Sequence, residues 1–244
     1  MKKKYNFKLV ISYIGKNYFG WQRQPNHISI QQVIEEALRH LFKEKIVLIA
    51  SGRTDAGVHA LGQVANFKTF SYRKPEEIYK YLNATLPRDI AIKSVDEVPL
   101  SFNARFSAKG KTYLYRIYTK ADPFLYGFGW YISKRLNILK MKEALSLIKN
   151  SKNLIALAKK GDYKREIVEI REIILRYDGK VIEIEITASH FLRHMVRKIV
   201  GHVVQVGLGS LSLEELQKII ESQNPAKAIY IAPPEGLFLK EVYY

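Results

Sequence analysis

The segment S-G-R-T-D-A-G-V-H-A, Ser51 to Ala60, places one carboxylate, Asp55, two residues after Arg53 and among residues too small to bury it. The run before it, Ile46 to Ala50, is apolar and largely β-branched, as a buried strand requires. Asp55 is therefore expected in a strand-end loop, where scaffolds commonly carry chemistry. A carboxylate beside a fixed cation stays ionised and gains an orientation. A lone Asp near a Gly most often caps the amides of its own turn. The rest of the chain weighs against that reading here, being basic, aromatic and poor in other catalytic groups. No second acid with catalytic surroundings lies nearby, so a paired-carboxylate glycosidase has little support, whereas a lone Asp braced by Arg suits nucleophilic chemistry.

Three further segments carry candidate groups. Y-I-G-K-N-Y-F-G-W-Q-R-Q, Tyr13 to Gln24, gathers Tyr18, Phe19 and Trp21 around glycines that permit a turn, either as a hydrophobic plug under a loop or as RNA contacts. In A-R-F-S-A-K-G-K-T-Y-L-Y, Ala104 to Tyr115, Tyr113 follows a loop containing Lys109 and Lys111. A flat ring there can stack on an extruded base, and alternating tyrosines are equally ordinary strand formers. In H-F-L-R-H-M-V-R-K-I-V-G, His190 to Gly201, helical spacing puts Arg193 and Arg197 on one face and Met195 and Ile199 on the apolar one. A buried Arg without an acid in its own segment calls for a distant carboxylate, and Asp55 is the candidate. His190 and His194 are spaced like metal ligands, but the Glu of H-E-x-x-H is missing and no third ligand is evident, so no metal site is expected.

Composition narrows the partners. The 244 residues include 40 Lys and Arg against 23 Asp and Glu, a net charge of +17 that suits a polyanion whose phosphates shed condensed counterions on binding. Aromatic residues at 12% add stacking surface. The absence of Cys removes disulfides, thiolate catalysis and Cys-based zinc sites. There is no G-x-x-x-x-G-K-[ST] and no strand-linked G-x-G-x-x-G, so ATP, NAD and FAD have no support as cofactors. No apolar run is long enough to span a bilayer, and the segment after Met-Lys-Lys-Lys is too polar for a signal sequence, so a cytoplasmic location with no membrane partner is expected.

The elements that must position these groups follow from periodicity. Phe7, Leu9, Ile11 and Tyr13 alternate as one face of a strand. Ser29 and Gln32 open a capping box before a helical stripe from Ile30 to Leu41. Strands are expected at Ile46–Ala50, Gln63–Lys68 and Ile90–Val95, with a helix from Pro75, giving β-α-β-β-α-β. The second half repeats the theme. Tyr113, Tyr115 and Ile117 share a strand face, and Met141, Ala144, Leu145 and Ile148 mark a helix. Two strands meet at Asp178-Gly179, Phe191–Val206 reads as a helix, Ser212 and Glu215 cap another, and Leu237–Val242 supplies a last strand. The fold class is α+β: two ferredoxin-like halves, 1–103 and 104–244, with mainly antiparallel sheets and a central basic cleft.

Together these segments resemble the bacterial tRNA pseudouridine synthase A (TruA) family over nearly the whole chain. The resemblance rests on Tyr13–Gln24, Gly52–Ala60, Ala104–Tyr113, Phe191–Gly201 and P-P-E-G-L at Pro233–Leu237, in the right order. One stretch departs: where members carry G-x-H-x-F-x-S-F, Lys152–Lys160 reads K-N-L-I-A-L-A-K-K. The resemblance implies isomerisation of uridine to pseudouridine at positions 38, 39 and 40 of the tRNA anticodon stem-loop, by a homodimer without metal or organic cofactor. It implies Asp55 as nucleophile, attacking C6 of the uracil or C1′ of the ribose. It also implies Tyr113 stacked on the flipped uracil, Arg197 paired with Asp55, and Arg53 helping to displace the base. On charge and fold alone, a non-catalytic RNA-binding protein is the competing reading.

Overall fold

The computed structural model describes residues 3–161 and 167–244; Met1 and Lys2 of the basic N-terminal run lie outside them. Two compact units are present, one of Met1–Lys109 with Phe238–Tyr244, the other of Gly110–Leu237.

The first unit runs β1 (Tyr5–Tyr13), α1 (Ile30–Phe42), β2 (Ile49–Ala50), β3 (His59–Thr69), α2 (Pro75–Thr85) and β4 (Ile90–Glu97), the expected β-α-β-β-α-β order. β1 lies between β3 and β4, antiparallel to both, and β2 is antiparallel to β3, so the strands stand in the order 4-1-3-2. Phe7, Leu9 and Ile11 are fully buried with Ile30, Ile34 and Leu38 of α1 and Ile78 and Leu82 of α2, as a period of two against a period of 3.6 demands. On β1 the neighbouring Asn6 is also buried: its amide donates to the carbonyls of Pro99 and Phe102, and its Oδ1 accepts from Asn66 of β3.

Two expectations shrink. Ser29 Oγ accepts the Gln32 N–H, but the Gln32 side chain donates to Glu36, so only half of the capping box is made. The strand expected over Ile46–Ala50 is two residues long, because Glu35 of α1 accepts the Leu48 N–H at 2.9 Å and holds this apolar run to the helix rather than to the ladder.

The last strand, β9 (Leu237–Tyr243), pairs in parallel with β3 at His59–Phe238 and Ala60–Leu239. It continues the edge that β2 occupies further along at Ala65 and Asn66, so it lies with the first unit rather than with residues 104–237. The approach is close: a Cβ on Gly62 would stand 2.7 Å from the Lys240 carbonyl oxygen.

The second unit comprises β5 (Gly110–Tyr118), β6 (Trp130–Tyr131), α3 (Ile138–Asn150), β7 (Ile170–Tyr177), β8 (Val181–Ala188), α4 (Met195–Leu208) and α5 (Leu213–Glu221). β8 is central and antiparallel to β5 and β7, while β6 runs parallel to the end of β5. The fold is thus α+β with mainly antiparallel pairing. The β7–β8 hairpin turns at Gly179, with φ +90°, and the Asp178 carboxylate accepts the N–H groups of Lys180 and Val181. Ser212 and Glu215 make a complete capping box on α5.

The helix expected from Phe191 begins only at Met195. His194 precedes it with φ 62°, a left-handed conformation that a helix cannot pass through, so Arg193 lies outside α4 and shares no helix face with Arg197. Met195 and Ile199 are buried as expected. The departing stretch is core: Leu154, Ala156, Leu157 and Ala158 are buried, and Lys159 N–H donates to the Arg193 carbonyl.

His202, on α4, is fully buried, with Nδ1 2.7 Å from the Lys198 carbonyl and its ring edge-on to Tyr230. A carbonyl only accepts, so Nδ1 carries the proton, and Nε2 has no partner among the described residues. Burial lowers the His202 pKa below its ordinary 6.5. The unfolded chain then binds more protons than the folded one below that value, so stability is full above pH ~6.5 and is lost as pH falls through the lowered folded pKa. Thermal melts are expected to show Tm dropping from pH 7 to pH 5 in the wild type and dropping less in His202→Gln.

Candidate active site

The Asp55 loop joins β2 to β3, and the Tyr13–Gln24 segment packs beneath it. Trp21 N–H donates to the Thr54 carbonyl at 3.1 Å and Gly57 N–H to the Tyr18 carbonyl at 3.4 Å. The turn is closed by the Val58 N–H on the Asp55 carbonyl at 3.2 Å. Two glycines make the approach possible. A Cβ on Gly15 would meet the Val58 carbonyl oxygen at 2.0 Å, and one on Gly20, where φ is +83°, the Thr54 carbonyl oxygen at 2.5 Å. Tyr18 and Trp21 are buried, so the plug reading holds for them; Phe19 is half-exposed and stacks on His27 at 3.9 Å.

A buried polar network fixes the residues on both sides of Arg53. The Tyr13 hydroxyl lies 2.7 Å from Thr54 Oγ1, and Gln63 also bonds that hydroxyl. Gln63 in turn accepts from Ser51 Oγ and donates to the Gly52 carbonyl. Burial pushes the Tyr13 phenol up to about 12, so it stays protonated through the physiological range. His59 Nδ1 accepts the Gly15 N–H at 3.1 Å, and its ring stacks on Phe238. Thr54 is therefore held by its side chain and its carbonyl, one residue before Asp55. Arg53 is exposed and Asp55 half-buried, both on this loop. Such an arrangement presents a carboxylate from a backbone with little freedom to relax, as a nucleophile requires.

Tyr113 and Arg197 belong to the second unit. Tyr113, on β5, is buried with its ring edge-on to Phe191 at 5.0 Å. Two residues on, Tyr115 is fully buried and donates to the Pro233 carbonyl, and its ring leaves no room for a Cβ on Gly236. The P-P-E-G-L motif is thus the bed of β5. Burial, with the nearby charge of Glu235, raises the Tyr115 pKa far above its ordinary value. Arg197, in the first turn of α4, donates from Nε to the Ala232 carbonyl at 2.8 Å, while its own carbonyl accepts the Ala232 N–H. Gly201, one turn later, allows this close packing: a Cβ there would lie 2.8 Å from the Tyr230 carbonyl oxygen.

Sequence reasoning missed the Tyr13–Thr54–Gln63 network and the Phe191 contact. Tyr13 and Gln63 read only as strand residues, and Phe191 read as the start of a helix. The position of Phe191 four residues before a buried Met195, with His194 between, held no signal for the left-handed turn.

The model of the tRNA pseudouridine synthase family matches residues 9–107 and 150–244. The chain belongs to the tRNA pseudouridine synthase family. It is accordingly an isomerase acting on tRNA uridine. A tRNA pseudouridine synthase A of Aquifex aeolicus is 38% identical over 239 residues, covering 97% of this chain and 98% of that one. One of Acetivibrio thermocellus is 42% identical over 242 residues, covering 98% and 99%. The matched stretches of the tRNA pseudouridine synthase model hold Arg53, Asp55 and Arg197, while Tyr113 falls between them. Among the described residues no cluster of His, Asp and Glu could hold a metal, and no helix is long and apolar enough to cross a membrane.

Proposed function

We propose that this protein isomerises uridine to pseudouridine at positions 38, 39 and 40 of the tRNA anticodon stem-loop, with Asp55 as the nucleophile. What carries the reading is the Asp55 loop, clamped through Thr54 by Trp21 and Tyr13, in a chain of this family. Asp55 attacks C6 of the uracil or C1′ of the ribose; either way the C1′–N1 bond breaks and a C1′–C5 bond forms. The proton on C5 leaves, N1 gains one, and the carboxylate is regenerated. No electron is gained or lost, so the reaction as written calls for no redox cofactor.

Tyr113 stacks on the flipped uracil and assists proton removal from C5, a role favoured by a ring already fixed against Phe191. Arg197 pairs with Asp55 and keeps it ionised; its Nε bond to Ala232 fixes the base of the guanidinium. Arg53, exposed on the loop, replaces the extruded base in the stack. The excess of Lys and Arg over Asp and Glu holds the tRNA phosphates, with affinity that falls steeply as salt rises. The enzyme works as a homodimer in the cytoplasm.

Site-resolved pseudouridine mapping on a set of tRNA transcripts treated with pure protein is the test. Conversion is expected at positions 38, 39 and 40. Conversion confined to other positions overturns the target assignment, and no conversion in any transcript overturns the activity.

A further inference from the structure

Asn103–Ser107 forms a turn whose backbone N–H groups are all hydrogen-bonded. The Ala104 N–H donates to Asn66 Oδ1 at 2.8 Å, and the Ala104 carbonyl accepts from the Tyr244 hydroxyl at 2.8 Å. Asn103 Oδ1 accepts the N–H groups of both Arg105 and Phe106. Asn103 N–H donates to Ser107 Oγ, and Ser107 N–H returns to the Asn103 carbonyl. Asn66 is itself fixed by the buried Asn6. At the tip of this rigid frame Phe106 is 78% exposed, and the Arg105 guanidinium lies over its ring, 5.5 Å from the centroid.

An exposed aromatic ring on a mobile loop folds back or is tolerated singly; here the turn's own hydrogen bonds hold it outward. Such a ring has already lost the freedom that binding would otherwise remove. The surroundings are cationic. Arg105 and Lys109 are both exposed, and the sequence has no acidic residue between Glu97 and Asp122. An outward aromatic face flanked by cations fits a nucleobase and its phosphate, because every base has a π-face to stack.

We propose that Phe106 and Arg105 form a second RNA contact, in which Phe106 stacks on an unpaired tRNA base and Arg105 takes the adjoining phosphate. This rests on the reading of tRNA as substrate. The contact is remote from the reacting uridine. Asn66 lies seven residues along β3 from His59, about 20 Å at the rise of a strand, and Asp55 precedes His59. Tyr244, six residues beyond Phe238 on a chain that starts level with His59, reaches the same turn. The dyad therefore supplies uniform binding rather than help confined to the transition state, and its loss raises Kd and KM while kcat stays.

The test measures binding of a fluorescein-labelled tRNA transcript, Tm, oligomeric state by light scattering, and kcat at saturating tRNA. Phe106→Ala is expected to raise Kd about 5- to 100-fold with Tm and kcat unchanged, and Phe106→Trp to restore it. Arg105→Gln is expected to lower the slope of log Kd against log salt by about one. Wild-type Kd in Phe106→Ala overturns the proposal. So does a change of oligomeric state in that variant, since the ring would then cover a second copy of the chain. Binding is read without turnover. Failure of the wild type to make pseudouridine would therefore sink the function proposed above and leave the Phe106 result to stand or fall by itself.

Discussion

Asp55→Asn is expected to bind tRNA with near wild-type affinity and to form pseudouridine at least ~10⁴-fold more slowly, a loss typical of removing a nucleophile. Asparagine keeps the volume and the dipole of the side chain and removes the charge that attacks carbon. The turn survives the change, because it is closed by the Asp55 backbone carbonyl and clamped through Thr54. The phosphate contacts that dominate affinity come from other residues. Filter binding together with pseudouridine mapping separates three outcomes. Binding without conversion is the expected one. Near-normal conversion removes Asp55 from the chemistry and favours another group in the chain. Loss of binding together with a lowered Tm makes Asp55 a local cap, the ordinary role of an Asp beside a Gly.

The parts of the fold that were legible are those where a short window carries the physics. Phe7, Leu9 and Ile11 alternate because one sheet face is buried, and Ser212 with Glu215 stops the start of α5 from fraying using only four consecutive residues. Some features that no short window reveals involve a partner far away in sequence. Glu35 takes the Leu48 N–H that a longer β2 would have paired, and no pattern within Ile46–Ala50 reveals it. The last strand was legible at Leu237–Val242, but not its place on an edge of β3 at the other end of the chain. The Asp55 loop stood out because its residue types are unusual together. What holds it did not, because Tyr13, Thr54 and Gln63 meet only after β1 and β3 have paired, and each alone is an ordinary strand or turn residue. Helix α4 was misread for a different reason: a left-handed His194 is uncommon, and the apolar stripe on either side of it has helical spacing.

Gly20→Ala is expected to weaken both the fold and the reaction, and Gly179→Ala tells the two causes apart. Both glycines have positive φ, +83° and +90°, so an alanine at either carries the left-handed penalty of roughly 1–2 kcal/mol. Nothing lies within 4 Å of a Cβ on Gly179, and that variant should lose only this much, with full activity. At Gly20 the new methyl meets the Thr54 carbonyl oxygen at 2.5 Å, the Asp55 carbonyl carbon at 3.0 Å and the Ala56 nitrogen at 3.1 Å, all backbone atoms that no rotamer change can clear. Either segment must move, adding about 1–3 kcal/mol of overpacking and pulling Thr54 away from the Trp21 N–H. A shift of this kind at the residue before Asp55, the proposed nucleophile, is expected to cost about 100-fold in kcat, since a misplacement of about 1 Å has that effect on a reacting group. Urea unfolding and single-turnover rates on both variants check it. Equal stability losses at Gly20 and Gly179, with kcat intact in both, would mean that the Tyr13–Gln24 segment does not set the position of Asp55. An excess loss at Gly20 alone, with kcat reduced and tRNA affinity held within about threefold, is what a clamp on the nucleophile produces.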